Sequence, residues 1–137
     1  MPTQLIIHVA VETSGGSSPN VRYVLVGNTG GASIQSGKGG LQNKIYIPNT
    51  VTGDVTLRFM LTEPQWKFVA AADHAFGKDR PDGPDDVAAF RDRGLDGPKK
   101  VFSCLHSVQP GGTWWHAFKV SDGNTVYLID PEIENED

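Results

Sequence analysis

Short strand-like segments, separated by glycine, proline, asparagine and aspartate, run through almost the whole chain and favour an all-β fold. Residues 54–62 show the pattern most clearly, because Val55, Leu57, Phe59 and Leu61 occupy every second position. Such alternation places one set of side chains on a buried face of a sheet. We therefore expect an antiparallel two-layer β-sandwich, Ig-like or jelly-roll-like, of about seven or eight strands. The other predicted strands include residues 4–12, 21–26, 41–48, 66–70, 101–109, 114–120 and 125–129.

A long segment rich in aspartate, proline and glycine, residues 73–100, interrupts this pattern. Pro84-Asp85-Asp86 resembles the first turn of a helix, and Gly94 could end that helix. We expect residues 1–137 to form a single β-sandwich domain, with residues 73–100 as an insertion that contains one short helix. Long insertions in compact domains are usually functional or mobile.

Residues 101–109 and 114–120 read as a closing hairpin joined through Pro110-Gly-Gly-Thr113. With a three-residue loop, His106 would lie opposite His116. The chain then continues into residues 125–129 and ends in an acidic stretch, residues 130–137.

Composition narrows the range of functions. The net charge is −4, and lysine and arginine are scattered, so the basic surface of a nucleic-acid-binding protein is missing. No apolar run approaches the roughly 20 residues that cross a bilayer, and no secretory leader is recognisable. A single cysteine, Cys104, cannot form an intramolecular disulfide. These features predict a cytoplasmic protein, although a mature secreted chain would share them.

Catalytic motifs are missing from the sequence. It contains neither a Gly-x-Ser-x-Gly elbow nor a His-Glu-x-x-His pair. Cys104 and His106 lie on one predicted strand, a spacing that does not direct a base toward an exposed thiol. We expect a protein that is not an enzyme and needs no cofactor.

Cys104, His106 and His116 form a candidate metal site. Cys104 and His106 share one face of a strand, His116 could face them, and blue-copper sites use two histidines and a cysteine. The same face carries many apolar side chains, so an apolar core with two satisfied histidines is the alternative interpretation.

The aspartates of the insertion could supply oxygen ligands for Ca²⁺. Their order differs from the EF-hand pattern, and the alternative is a solvated acidic loop whose charges are neutralised by nearby arginines. The aspartates concerned are Asp73, Asp79, Asp82, Asp85 and Asp86.

Adjacent Trp114 and Trp115 must point to opposite faces of a strand. If Trp114 joins the core, Trp115 lies with Lys119 on the outer face, where an indole can stack on a sugar or anchor a partner. Alternatively, the insertion covers Trp115 and keeps it from solvent. The candidate ligand-binding residues are Trp115, Trp66, Asp73 and Lys119.

Several segments, taken in order, resemble the small bacterial inclusion-body proteins of the AidA/PixA type. They are residues 5–12, the tyrosine-containing residues 21–26, the turn Ser36-Gly-Lys-Gly-Gly40 and the terminal Asp130-Pro-Glu-Ile133. Residues 66–100 have no counterpart. The resemblance implies a self-associating β-sandwich, with glycan binding as a further activity.

Three hypotheses follow from the sequence. The first is a non-catalytic binding module for a glycan or a protein surface, and the second is a self-assembling protein that forms homo-oligomers through edge strands and residues 132–137. The third is the Cys104, His106 and His116 metal site. We expect neither nucleic acid nor membrane as a partner.

Overall fold

The computed structural model describes residues 3–13, 19–27, 30–37, 40–109 and 111–136, which are mostly β-structure. Two sheets pack against each other around one core, so the predicted all-β sandwich is confirmed. Parts of the predicted loops and termini, residues 14–18, Lys38, Gly39, Pro110 and Asp137, lie outside the described residues. The strands are β1 (Thr3–Glu12), β2 (Asn20–Val26), β3 (Ser33–Ser36), β4 (Gln42–Ile47), β5 (Asp54–Leu61), β6 (Lys67–Phe68), β7 (Ala75–Lys78), β8 (Phe90–Leu95), β9 (Val101–Ser107), β10 (Gly112–Ser121), β11 (Val126–Ile129) and β12 (Glu132–Asn135).

The sequence predicted purely antiparallel sheets, but both sheets are mixed. The first sheet has the order β2-β1-β5-β9-β8, and the second has the order β11-β10-β12-β4-β3, with β6 and β7 also pairing with β10. β1 and β5 run parallel, as do β12 and β4. Between β1 and β5 the chain crosses to the second sheet and forms β3 and β4 there, a connection long enough to allow parallel pairing.

Alternation places the predicted side chains in the core. On β5, Val55, Leu57, Phe59 and Leu61 are all buried. A buried aromatic column continues between the sheets, with Phe76 stacked on His116 on one side and on Phe90 on the other, at ring-centroid distances of 4.3 and 3.8 Å. The inner faces of both sheets therefore share one dense core, and their outer faces point away from it.

The predicted hairpin between β9 and β10 is wrong. β9 pairs with β5 and β8 in the first sheet, whereas β10 belongs to the second sheet. His106 lies opposite Val55 and Phe90 in the ladder, and not opposite His116. The short connection after β9 carries the chain from one sheet to the other, so the two strands bury their inner faces against each other.

The predicted helix in residues 73–100 is also wrong. A 3-10 turn at Ala71–Asp73 leads into β7, and β8 follows after a series of turns. Arg93 organises this segment, because its guanidinium makes two hydrogen bonds to the Asp85 carboxylate, at 2.7 and 2.9 Å. It also donates to the carbonyls of Phe90 and His74, at 2.9 and 3.1 Å. These contacts hold His74, the loop at Asp85 and β8 together within the segment.

The acidic C-terminal stretch forms an inner strand of the second sheet. β12 pairs with β10 on one side and with β4 on the other. Ile133 and Asn135 are buried, while Glu132 and Glu134 point outward. The backbone of Glu132–Asn135 is therefore paired on both edges, and the expected contact of residues 132–137 with another subunit stays a prediction.

Candidate ligand-binding surface

β10 divides its side chains between the core and the outer face of the second sheet. Trp114, His116 and Phe118 are buried, with exposed fractions of 1% or less. Trp115 is partly exposed and Lys119 is exposed on the opposite face. Trp114 also donates its indole N–H to Asp86 Oδ2, at 3.0 Å. The structure thus places the two indoles as the alternation predicts.

Trp115 lies between a loop and a carboxylate. Its ladder partners are Gly77 on β7 and Glu132 on β12. A Cβ on Gly77 would lie 2.7 Å from the Arg80 carbonyl oxygen and 3.1 Å from Gly83 N, so the loop after β7 folds over Gly77. Since Gly77 and Trp115 share one face, this loop forms a wall beside the indole and covers it in part.

Charged and polar side chains continue the surface across β12 and β4. Glu132 is in register with Lys44, and Glu134 is in register with Tyr46. Lys44 Nζ lies 2.7 Å from Glu134 Oε1, and this hydrogen bond is the main cause of the raised pKa of Lys44. These contacts hold polar groups in fixed positions near the indole.

The far edge of this surface is fixed by Glu136. Glu136 Oε1 accepts the backbone N–H of Asn49 at 2.9 Å. A hydrogen bond to Glu136 raises the pKa of Tyr46 to about 12. Glu132, Glu134 and Glu136 together outnumber Lys44, which makes the surface acidic.

Two other predicted ligand-binding residues lie on the same face, and one does not. Lys119 Nζ is 3.7 Å from Asp73 Oδ1, an ion pair farther along β10 from Trp115. Trp66 is only 5% exposed and packs edge-on against Tyr127 at 5.8 Å. The structure therefore corrects the expectation for Trp66, because its apolar ring is part of the core and is not available to a ligand.

Cys104, His106 and His116 are not assembled as a metal site. His106 Nδ1 is 2.9 Å from the Ala89 carbonyl oxygen, and His106 Nε2 is 3.0 Å from Asn135 Oδ1. Burial raises the pKa of the Cys104 thiol to about 12, which disfavours the thiolate that binds metals. In the part of the chain that the structure describes, no group of three or more His, Cys, Asp or Glu side chains could hold a metal ion.

His116 instead pairs with His74, a residue that the sequence analysis missed. His74 Nδ1 and His116 Nε2 are 2.8 Å apart in the core. Their other ring nitrogens, His74 Nε2 and His116 Nδ1, have no hydrogen-bond partner among the described residues. The available signal was the two-residue spacing of His74 and Phe76, which indicates one buried strand face. Residues 73–100 were instead assigned to an insertion.

The aspartates of residues 73–100 are largely occupied by protein contacts. Asp85 pairs with Arg93, and Asp82 lies 3.6 Å from Arg80. The Asp86 carboxylate accepts both the Ala89 backbone N–H and the Trp114 indole N–H. Arginines and backbone or indole N–H groups therefore contact these carboxylates, as expected for an acidic loop that is neutralised within the protein.

No family model matches the chain, and no curated protein is detectably similar to it. No helix among the described residues is long and apolar enough to cross a membrane. Function is therefore inferred from the geometry of the surface around Trp115.

Proposed function

We propose that this protein is a non-catalytic glycan-binding module, with its ligand on the outer face of the second sheet. The observation that carries the proposal is the position of Trp115. Its partly exposed indole lies on a rigid strand, between a loop and a row of fixed polar side chains. A flat indole presents an apolar face to the C–H face of a sugar ring, and nearby carboxylates accept hydrogen bonds from its hydroxyls.

The charge of this surface selects the class of sugar. Glu132, Glu134 and Glu136 outnumber Lys44, which is already paired with Glu134, and the other cation on this face, Lys119, is paired with Asp73. A sialylated, sulfated or uronic-acid glycan would bring another negative charge to this acidic face. Neutral sugars are therefore the expected ligands.

Replacing Trp115 tests this proposal. Trp115→Ala should abolish measurable binding to the neutral glycans that the wild-type protein retains on a glycan array, because the stacking face is lost. Aromatic anchors of this kind typically contribute about 2 kcal/mol or more to binding. Titration calorimetry with the best-retained glycan gives the affinity, and Trp115→Phe should keep part of it.

Arg58→Ala is the control, since Arg58 is exposed on the first sheet and lies outside the proposed surface. Equal glycan binding by the wild type and Trp115→Ala would show that the glycan does not bind at Trp115. A preference for acidic glycans would contradict the electrostatic part of the proposal.

Self-assembly is the second candidate function, and the exposed hydrophobic residues favour it. Val24 and Val26 on β2 are 55% and 37% exposed, and Val126 and Leu128 on β11 are 53% and 63% exposed. Both strands stand at an end of a sheet order, where unpaired backbone groups can pair with another chain. Edge strands with exposed apolar side chains are suited to contacts between copies of the chain.

Light scattering over a wide concentration range tests this second candidate. We expect a mass that rises with concentration in the wild type. The double variant Val24→Lys, Leu128→Lys should remain monomeric, because each lysine places a charge on an edge strand. Val87→Lys is the matched control, since Val87 is 66% exposed but lies outside both edge strands. A wild-type mass that stays monomeric throughout would contradict self-assembly.

A further inference from the structure

A cleft of about 410 Å³ lies at the junction of β6, the end of β10 and the start of β11. It is separate from the Trp115 surface, and its volume suits a small ligand. Val69 and Val126 supply apolar side chains, Phe68 lines the cleft with its ring buried in the core, and Ser121 and the turn at Asp122 and Gly123 form part of the rim. The cleft can therefore hold an apolar group and still offer polar contacts.

Two lysines without carboxylate partners give the cleft a positive side. Lys67 and Lys99 both line it. Neither takes part in an ion pair within the described ranges. The Asp122 carboxylate also lines the cleft, but its Oδ1 accepts the backbone N–H groups of Asn124 and Thr125, at 2.9 Å each. Its main role is therefore to hold the turn.

A third ammonium group adds to this concentration of positive charge. Lys100 Nζ donates to the carbonyl oxygens of Glu63, at 2.6 Å, and of Trp66. Burial lowers the pKa of Lys100, and the positive charge of Lys67 lowers it further. The carboxylates of Glu63 and Asp96 act on the pKa of Lys100 in the opposite direction.

The backbone at Lys99 is held in a conformation that disfavours a side chain. Its φ is +62°, in the left-handed region where glycine is preferred. Hydrogen bonds from Lys99 N–H to the Asp96 carbonyl, at 3.1 Å, and from Phe68 N–H to the Lys99 carbonyl, at 2.9 Å, maintain it. Strained residues of this kind concentrate at ligand sites. A lysine where the backbone favours glycine is consistent with a need for its positive charge in ligand binding.

We propose that this cleft binds a small amphipathic anion, a carboxylate or phosphate group on an apolar body. The anionic group lies between the ammonium groups of Lys67 and Lys99, and the apolar body contacts Val69 and Val126. A charged group bound by two ammonium groups gains charge-assisted hydrogen bonds, and the apolar body gains the hydrophobic contribution. This site does not depend on glycan binding.

Titration calorimetry with sodium octanoate and with octyl phosphate tests the proposal and distinguishes the two head groups. At least one of them should bind, and 1-octanol should bind more weakly because it lacks the charge. Lys67→Gln and Lys99→Gln should each reduce the affinity by about tenfold. Arg58→Gln, which removes one positive charge on the other sheet, should leave it unchanged.

Lys99→Gly separates ligand binding from folding. Glycine relieves the backbone strain, so the variant should melt at a higher temperature than the wild type and bind the anion as poorly as Lys99→Gln. Absence of binding by both anions, or equal binding of octanoate and 1-octanol, would overturn the proposal. So would octanoate binding that survives in the double variant Lys67→Gln, Lys99→Gln.

Discussion

The protein should lose stability steeply as the pH falls from about 7 to about 4. His74, His106 and His116 are each no more than 1% exposed. Burial lowers the pKa of all three, to about 3 for His74 and well below the usual value for His116. Arg93 lowers the pKa of His74 and His116 further, and for His106 the effect of burial exceeds that of its two hydrogen bonds.

The sign of the effect follows from proton binding. In the unfolded chain each histidine binds a proton below about pH 6.5, whereas the folded protein keeps these three neutral to a lower pH. The unfolded state therefore binds more protons in this window, and the free energy of unfolding falls as the pH falls. Each histidine removes roughly 1 kcal/mol of stability per pH unit, against a total of about 5–15 kcal/mol.

Two carboxylates extend the loss toward lower pH. The side-chain hydrogen bond from Arg91 is the main cause of the lowered pKa of Asp54. For Asp85, hydrogen bonds from Arg93 and Phe76 outweigh burial and also lower the pKa. Stability that depends on these ionised carboxylates is present above their unfolded pKa and is lost as the pH falls through the folded pKa. These two groups therefore add to the loss of stability below about pH 4.

Urea unfolding followed by tryptophan fluorescence at several pH values measures this slope. The double variant His74→Phe, His116→Phe should lose about two-thirds of it, because two of the three histidines are gone. The double variant should fold at neutral pH, because two phenylalanine rings replace two buried imidazoles that each have one ring nitrogen without a hydrogen-bond partner. His8→Gln is the control, as His8 lies partly exposed on β1. A stability that stays constant between pH 7 and pH 5 would contradict neutral buried histidines.

The sequence predicted which residues face the core because the two-residue period is a local property. Leu57 and Phe59 on β5 and Phe118 on β10 lie where alternation placed them. Sheet membership is not local. A buried strand followed by a short glycine-containing connection can continue as a hairpin or cross to the facing sheet, and β9 and β10 do the latter. The position of His106 relative to His116 could not be read from the spacing for this reason.

The helix predicted in residues 73–100 does not form, because tertiary contacts outweigh local preferences. Asp85 and Asp86 suit the first turn of a helix, but their carboxylates instead bind Arg93 and the Trp114 indole. At the C-terminus, the acidic stretch forms β12, in which Glu132 and Glu134 point outward while Ile133 fills the core. Among the site residues, Trp115 and Lys119 follow from alternation, whereas the contact of His74 with His116 requires knowledge of the fold.

Replacing Phe118 by alanine should destabilise the protein by about 3–5 kcal/mol. Phe118 is 1% exposed, and its ring contacts Phe68 at 5.7 Å and His116 at 4.6 Å between centroids. Removing it leaves a cavity among rings that belong to a shared core and cannot close without moving a strand. Urea unfolding at neutral pH measures the loss.

Trp115→Ala provides the matched comparison on the same strand. It removes a larger ring, yet it should cost much less stability, because Trp115 lies partly exposed on the outer face. Buried apolar area, rather than ring size, sets the loss. Equal large losses for Phe118→Ala and Trp115→Ala would show that the indole supports the fold. Its role would then be structural, and the outer face of the second sheet would lose the aromatic surface on which a sugar could stack.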